Sequence, residues 1–183
     1  AADPLDSNNQ YVFDRNNHQV LKMTNDGTTS AFIGDNVPNG YADGLGTAAR
    51  LKFPNFGGCT PDGTLYFGDT SNDAIRKADP AGNVVTIAGS GAPGAADATS
   101  PLAAEFLRPH SIRRDAAGWL YVVESCGKQV CNEDGGSAAI RLIDPASGAV
   151  TTMAKFNGSS FTGPKTPNDI GLNEWGNRTY VVF

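Results

Sequence analysis

The chain has 183 residues, of which 39% are hydrophobic and 18% charged, a composition that excludes wholesale disorder. Lys and Arg number 14 and Asp and Glu 19, and the resulting net charge of −5 argues against a nucleic-acid-binding surface. The longest apolar runs are about five residues, whereas a membrane helix needs about 20, so no membrane insertion is expected in this segment.

A short apolar motif that begins with tyrosine recurs along the chain, at intervals of 55, 55 and 59 residues. Its copies begin at Tyr11, Tyr66, Tyr121 and Tyr180. Other landmarks keep the first interval, since Val20 matches Ile75 and Pro54 matches Pro109. Register kept over so many positions indicates an internal repeat.

Each unit of the repeat is predicted to contain four short antiparallel strands. In the second unit these are an apolar stretch after Pro54, then Leu65–Asp69, Ala74–Ala78 and Val84–Gly89. Four such strands per unit describe a β-propeller blade, and the 3.6-residue apolar period that a helical repeat requires is absent. The predicted fold class is therefore all-β, an incomplete propeller arc of four-stranded antiparallel blades.

The segment Leu65–Gly89 resembles the repeat of the NHL family of β-propellers. It shows a tyrosine strand, Asp-x-x-Asn, an Ile-Arg strand, a glycine turn and a strand that contains threonine. The first unit keeps Asp14, Asn17 and Val20, with His18 where the family often has histidine. The resemblance implies the propeller fold but little about function, because such propellers serve mostly as binding platforms and only occasionally as enzymes.

The repeat divides the chain into about three and a half blades. Blade 1 is expected at about 1–34, blade 2 at about 54–89, blade 3 at about 109–156 and half of blade 4 at about 167–183. Propellers typically close with about 4–8 blades, and closure protects their strand edges. We therefore expect a protein partner, or the remainder of the same propeller chain, to complete the arc.

The third unit carries an insertion after its tyrosine strand. This insertion contains Cys126 and Cys131, with four residues between them. This spacing in a polar loop predicts a small disulfide loop, and two reduced cysteines are the alternative. Cys59 is predicted to be a small buried hydrophobe on an innermost strand. A zinc site needs four ligands and the chain has only two histidines, so no metal site is expected.

Two glycosylation sequons begin at Asn157 and Asn177. Their number is what chance predicts, but Asn157 falls in a Gly/Ser-rich loop that would accommodate a glycan. Together with the predicted disulfide, the sequons favour an extracellular or cell-surface location.

Candidate binding residues lie on the innermost strands. Asn55, His110 and Asn168 each follow closely on the proline that begins such a strand, which predicts a polar ring at one mouth of the central channel. Capping of the loop backbone is the alternative for this set. Arg113 and Arg114 stand where the other units have small or apolar residues, so an arginine here requires a carboxylate or another partner.

Charged residues also repeat. The tyrosine strands end at Asp14, Asp69 and Glu124, and the next strands carry Arg76 and Arg141. We predict bonds within each blade from these carboxylates to arginine or to turn N–H groups, because one carboxylate per blade cannot form a shared calcium cage. His18 is predicted to be a structural corner residue, and Asp43–Gly44 a loop turn.

The sequence shows no Ser-His-Asp, phosphate-loop, GxSxG or HExxH pattern, so neither catalytic residues nor a cofactor is expected. The predicted function is a non-catalytic β-propeller interaction or structural module of a larger, extracellular protein or assembly. Two alternatives stay open. One is a propeller enzyme of the lyase or lactonase kind that uses His110 and Arg113 at the channel mouth. The other is an extracellular ligand-sensing domain.

Overall fold

The structure, a computed structural model, describes residues 3–36, 38–125, 138–156, 169–172 and 179–182. Neighbouring strands in these ranges pair antiparallel throughout. Helical structure in the described residues is confined to three-residue 3-10 turns, and none of it is long or apolar enough to cross a bilayer.

The strands form four sheets that follow one another along the chain. The first sheet contains β1 (Asn9–Asp14), β2 (Gln19–Thr24) and β3 (Thr29–Gly34). The second has the spatial order β4-β8-β7-β6-β5 and consists of β4 (Gly44–Leu45), β5 (Pro54–Cys59), β6 (Leu65–Asp69), β7 (Ala74–Ala78) and β8 (Asn83–Ala88). The third contains β9 (Pro109–Arg114), β10 (Leu120–Glu124), β11 (Ala138–Ile143) and β12 (Val150–Phe156). The fourth contains β13 (Asp169–Leu172) and β14 (Thr179–Val182).

Turn chemistry separates the strands as the sequence predicts. Between β7 and β8, the Asp79 carboxylate accepts hydrogen bonds from the N–H groups of Ala81 at 3.0 Å and Asn83 at 2.9 Å. Gly82 in the same turn has a φ of 88°, which a residue with a Cβ adopts only under strain. The turn therefore ends one strand and starts the next within a few residues.

Successive sheets pack through their innermost strands. β5 lies against β9 and β9 against β13, while β6 contacts β9 and β10 contacts β13. This stepwise packing is that of a β-propeller, and the described sheets form an arc that does not close on itself. The prediction of an all-β, incomplete propeller arc of antiparallel blades is confirmed; the third sheet has the four strands expected of a blade, and the second has these four and β4 in addition.

Apolar side chains between consecutive sheets supply the core. The cluster between the first two sheets includes Tyr11, Val20, Ile33, Leu65 and Phe67. The cluster between the second and third sheets includes Ile75, Phe106, Ile112, Val122 and Val150. Each sheet therefore buries apolar surface against its neighbour, which is the main favourable contribution to folding.

His18 and Asp73 occupy equivalent corners of the first two sheets. Each follows a 3-10 turn and has a left-handed φ, of 58° and 49° respectively. His18 Nδ1 accepts a hydrogen bond of 3.2 Å from the Phe53 N–H, and the Asp73 carboxylate accepts one of 2.8 Å from the Arg108 N–H. Both bonds join a corner to the residue that precedes the innermost strand of the next sheet. The prediction that His18 is a structural corner residue is thus confirmed.

The corner bond leads to a prediction about His18. We expect His18→Asp to keep stability within about 1 kcal/mol of the wild type, because aspartate tolerates a left-handed φ and supplies the same acceptor. His18→Ala should cost about 1–2 kcal/mol, since the Phe53 N–H loses its acceptor and alanine tolerates this backbone poorly. Urea denaturation followed by circular dichroism measures both. An alanine variant as stable as the wild type would show that the bond contributes nothing.

Candidate functional site

Two buried arginines each bond to a carboxylate of the neighbouring strand in their own sheet. Arg76 Nη1 lies 3.0 Å from the Asp69 carboxylate, and both side chains are fully buried. Arg141 Nη1 lies 3.2 Å from the Glu124 carboxylate in the equivalent place. The predicted bonds within each blade are therefore confirmed for these pairs. In the first sheet, the Asp14 carboxylate accepts hydrogen bonds from the side-chain amides of Asn17 and Gln19 instead, at 2.8 and 3.2 Å.

Burial governs the electrostatics of these carboxylates. It raises the pKa of Asp69 to about 6 and that of Glu124 to about 7, because the loss of water outweighs the attraction of the neighbouring guanidinium groups. Each carboxylate also accepts a backbone hydrogen bond, from Lys52 at 2.7 Å and from Leu107 at 3.0 Å. These contacts hold the connector before each innermost strand against its own sheet.

The same arginines bind a second carboxylate that the sequence interpretation missed. Arg76 Nη2 lies 3.0 Å from Asp43, and Arg141 Nη2 lies 2.8 Å from Asp97. The prediction of a loop turn at Asp43–Gly44 is wrong, because Gly44 begins β4 and Asp43 directly precedes it, with its carboxylate anchored to Arg76. The signal was present in the sequence, since Asp43 and Asp97 lie 54 residues apart, close to the repeat interval.

The predicted channel residues divide between the two ends of the innermost strands. Asn55 Nδ2 donates to Thr70 Oγ1 at 2.9 Å, and Thr70 Oγ1 donates to the Pro109 carbonyl at 2.8 Å. Asn55 is therefore part of a link between β5 and β9. His110 is half-buried at the equivalent position of β9, and Asn168 lies outside the described residues.

A cavity of about 400 Å³ opens at the opposite ends of β5 and β9. Its lining includes Gly58, Cys59, Tyr66, Ile112, Arg113 and Arg114. Arg113 Nη1 donates to the carbonyls of Gly57 at 3.2 Å and Ile112 at 2.9 Å, so this guanidinium bridges the two strands. The partner that Arg113 was predicted to require thus includes two backbone carbonyls. Arg113 lies in this cavity, whereas Asn55 and His110 do not line it.

Two other groups at this cavity, the Cys59 thiol and the Asp115 carboxylate, are unreactive or already bonded. Burial raises the pKa of the Cys59 thiol to about 11, so the thiol stays protonated and is a poor nucleophile near neutral pH. Asp115 accepts hydrogen bonds from the Trp119 N–H at 2.9 Å and the Tyr121 hydroxyl at 3.4 Å. Cys59 is half-buried against the first core cluster, a more exposed place than predicted.

The remaining predicted sites lie outside the described residues. They are the cysteines Cys126 and Cys131 and the sequon residues Asn157 and Asn177. Within the described ranges, no group of three or more His, Cys, Asp or Glu side chains is placed to hold a metal ion.

No protein-family model matches the chain, and no curated protein matches it by sequence. Solved structures resemble it over part of their length. A structural genomics protein of unknown function from Bacteroides thetaiotaomicron is 30% identical with a TM-score of 0.65, over 82% of this chain and 34% of that one. An auxiliary nutrient binding protein from the same organism is 27% identical with a TM-score of 0.58, over 63% of this chain and 32% of that one. A gluconolactonase from Xanthomonas campestris is 13% identical with a TM-score of 0.62, over 94% of this chain and 50% of that one.

These similarities agree with the propeller fold seen in the sheets. The neighbours include both an enzyme and a binding protein, so fold similarity alone does not assign a function. The chain spans about a third to a half of the length of these structures.

Proposed function

We propose that the chain is a non-catalytic β-propeller module of the NHL type, through which a larger extracellular protein binds a partner protein. The main support is that each buried charged side chain in the described ranges is bonded to another part of the fold. These side chains are Asp3, Asp69, Asp73, Arg76, Glu124 and Arg141. General acid–base catalysis requires ionisable groups that reach a substrate, and these six contact their structural partners.

The cavity beside Arg113 and Arg114 is the surface that we assign to the partner. Arg114 is exposed, and Arg113 is held by the backbone carbonyls of two neighbouring strands. Two guanidinium groups and one carboxylate, that of Asp115, which already accepts two hydrogen bonds, therefore line a largely apolar mouth with a positive balance of charge. In a chain with a net charge of −5, such a local cationic pair favours an acidic side chain of a partner.

The extracellular location and the larger protein belong to the same proposal. The location rests on the predicted Cys126–Cys131 disulfide and on the sequon at Asn157, since disulfides persist in oxidising compartments. The larger protein agrees with the longer structures that the chain resembles.

An acidic probe tests the binding surface. We expect an oligoglutamate peptide with a fluorescent label to bind the purified chain at low ionic strength, with an affinity that falls as salt is added. Arg114→Gln should weaken binding by roughly fivefold, because one of the two guanidinium charges at the mouth is lost. The matched control is Lys155→Gln, which removes one exposed positive charge from β12 and should leave the affinity unchanged.

Several results would contradict the proposal. Equal weakening of peptide binding in both variants would mean that binding depends only on the net charge of the chain. Displacement of the peptide by equimolar citrate would indicate a small carboxylate ligand instead of a protein segment. Hydrolysis of gluconolactone together with stoichiometric bound zinc or calcium would favour the enzyme alternative.

A further inference from the structure

A second cavity, of about 390 Å³, lies at the outer part of the second sheet. Its lining includes Tyr41, Ala42, Asp43, Thr86, Ser90 and Leu102, which come from the two connectors that flank this sheet and from β8. It shares none of its lining with the cavity beside Arg113, and its chemistry does not depend on the function proposed above.

The repeat shows that an exposed tyrosine is not required at this place. Tyr41 aligns with Ala95 of the following connector, because Asp43 and Asp97 bind equivalent arginines. The guanidinium of Arg76 lies 5.3 Å from the centre of the Tyr41 ring, and that of Arg141 lies 5.1 Å from the ring of Phe106. Phe106 is fully buried, whereas Tyr41 remains 47% exposed. The arginine of the third sheet therefore packs against a buried aromatic ring, whereas the arginine of the second sheet packs against a ring that is partly exposed to solvent.

Hydrogen-bonding capacity is left over beside this ring. Asp43 Oδ1 contacts Arg76 at 3.0 Å and accepts from Thr86 Oγ1 at 2.8 Å. Among the described residues, Asp43 Oδ2 and the Tyr41 hydroxyl have no hydrogen-bond partner, and the Asp43 side chain is 49% exposed. An ionised carboxylate oxygen accepts up to two hydrogen bonds, and a phenol both donates and accepts.

The charges around the cavity select against other ligands. Asp43 would repel an anion, and one free carboxylate oxygen is too few for a calcium ion, which takes six to eight oxygen ligands. A cationic ligand at Asp43 or at the Tyr41 ring would be repelled by Arg76, whose guanidinium lies 3.0 Å from the Asp43 carboxylate and 5.3 Å from the centre of the ring. A neutral ligand with both apolar C–H faces and hydroxyl groups meets neither obstacle.

We propose that this cavity binds a neutral saccharide unit. The exposed part of the Tyr41 ring packs against the C–H face of the sugar, and Leu102, which is 55% exposed, lines the same cavity. Sugar hydroxyls donate to Asp43 Oδ2 and exchange hydrogen bonds with the Tyr41 hydroxyl. The held position of Asp43 lowers the entropy cost of binding, because Arg76 and Thr86 already fix its carboxylate.

Saturation-transfer difference NMR tests this site with maltose, cellobiose and lactose added to the purified chain. We expect at least one disaccharide to show transfer to its ring C–H protons. Tyr41→Leu should weaken binding by about tenfold, because it keeps apolar cover over Arg76 but removes the flat ring. Tyr41→Phe should weaken binding less, by about threefold, because it keeps the ring and removes only the hydroxyl that exchanges hydrogen bonds with the sugar. The control Leu45→Ala removes another exposed apolar side chain, from the adjoining strand β4 and outside the cavity lining, and should bind as the wild type does.

A further variant covers the case in which Tyr41→Leu fails to fold. Leu102→Ser changes an exposed side chain in the cavity lining and should also weaken binding. The proposal is overturned if none of the three disaccharides binds, or if binding survives both Tyr41→Leu and Leu102→Ser. It is also overturned if the chain binds lysine methyl ester in preference to the sugars, since the site would then select a cationic ligand.

Discussion

Arg76→Met is expected to lower the free energy of unfolding by about 3–5 kcal/mol, because it leaves a buried carboxylate without its charged partner. Asp69 is fully buried 3.0 Å from Arg76, and Asp43 depends on the same guanidinium. Methionine fills much of the volume but supplies no donor. The measurement is urea denaturation of the variant and the wild type, followed by circular dichroism.

The loss of stability in Arg76→Met should also increase with pH. Without Arg76, the already raised pKa of Asp69 rises further above its value in the unfolded chain. A raised pKa in the folded state means that protonation stabilises the fold, so stability is lost as the pH rises through that pKa. The deficit of the variant should therefore be larger at about pH 8 than at about pH 5.

Lys77→Met is the matched control for this variant. Lys77 is the next residue of β7 and is only half-buried, so its replacement should change stability by about 0.5 kcal/mol or less. Equal effects of the two substitutions, or a deficit of Arg76→Met that does not vary with pH, would contradict the importance of the buried ion pair.

Gly68→Ala is the second substitution with a large expected effect, a loss of about 3 kcal/mol. A Cβ at Gly68 would lie 2.3 Å from the Pro109 carbonyl oxygen and 2.8 Å from its carbon. Both atoms belong to the backbone of β9 in the next sheet, so no side chain can rotate away. The clash would push neighbouring sheets apart at the point where Thr70 also bonds to Pro109.

Gly58→Ala provides the control within the same sheet. The nearest atom to a Cβ there is the Ile112 carbonyl oxygen at 3.9 Å, an ordinary contact, and Gly58 does not have a left-handed φ. We expect the stability of the Gly58→Ala variant to stay within about 1 kcal/mol of that of the wild type. Thermal and urea denaturation of both variants make the comparison. Similar stability of the two would mean that the sheets separate without cost at Gly68.

Much of the fold was predictable because it is local and repeated. The turn residues Asp79–Gly82 and the apolar runs on either side define two strands without reference to distant residues. Repetition at 55 residues, interrupted by a ten-residue insertion between Glu124 and Arg141, then carries the same assignment to other units, including the pairing of Asp69 with Arg76 and of Glu124 with Arg141. Such pairs lie only 7 and 17 residues apart in sequence.

The candidate sites were less predictable because they combine residues from distant segments. Arg113 and Gly57 are 56 residues apart, and Arg76 and Asp43 bring a sheet and its connector together. Alignment of units placed Asn55 and His110 correctly at equivalent strand starts, but it did not separate them from the cavity at the other end of the strands. Exposure of the Tyr41 ring likewise follows from how two connectors fold over one sheet.

The sequence by itself determined the all-β class, the repeat interval and the strand order of each unit, because hydrophobic alternation and turn chemistry act over a few residues. Only the tertiary structure decided which polar groups are bonded within the fold and which remain available to a ligand. Asp69, Glu124 and His18 form hydrogen bonds between segments of the chain. Tyr41, Asp43 and Arg114 keep part of their surface exposed. That division depends on how sheets and connectors pack, because burial and hydrogen-bond satisfaction are set by neighbours that are far away in the chain.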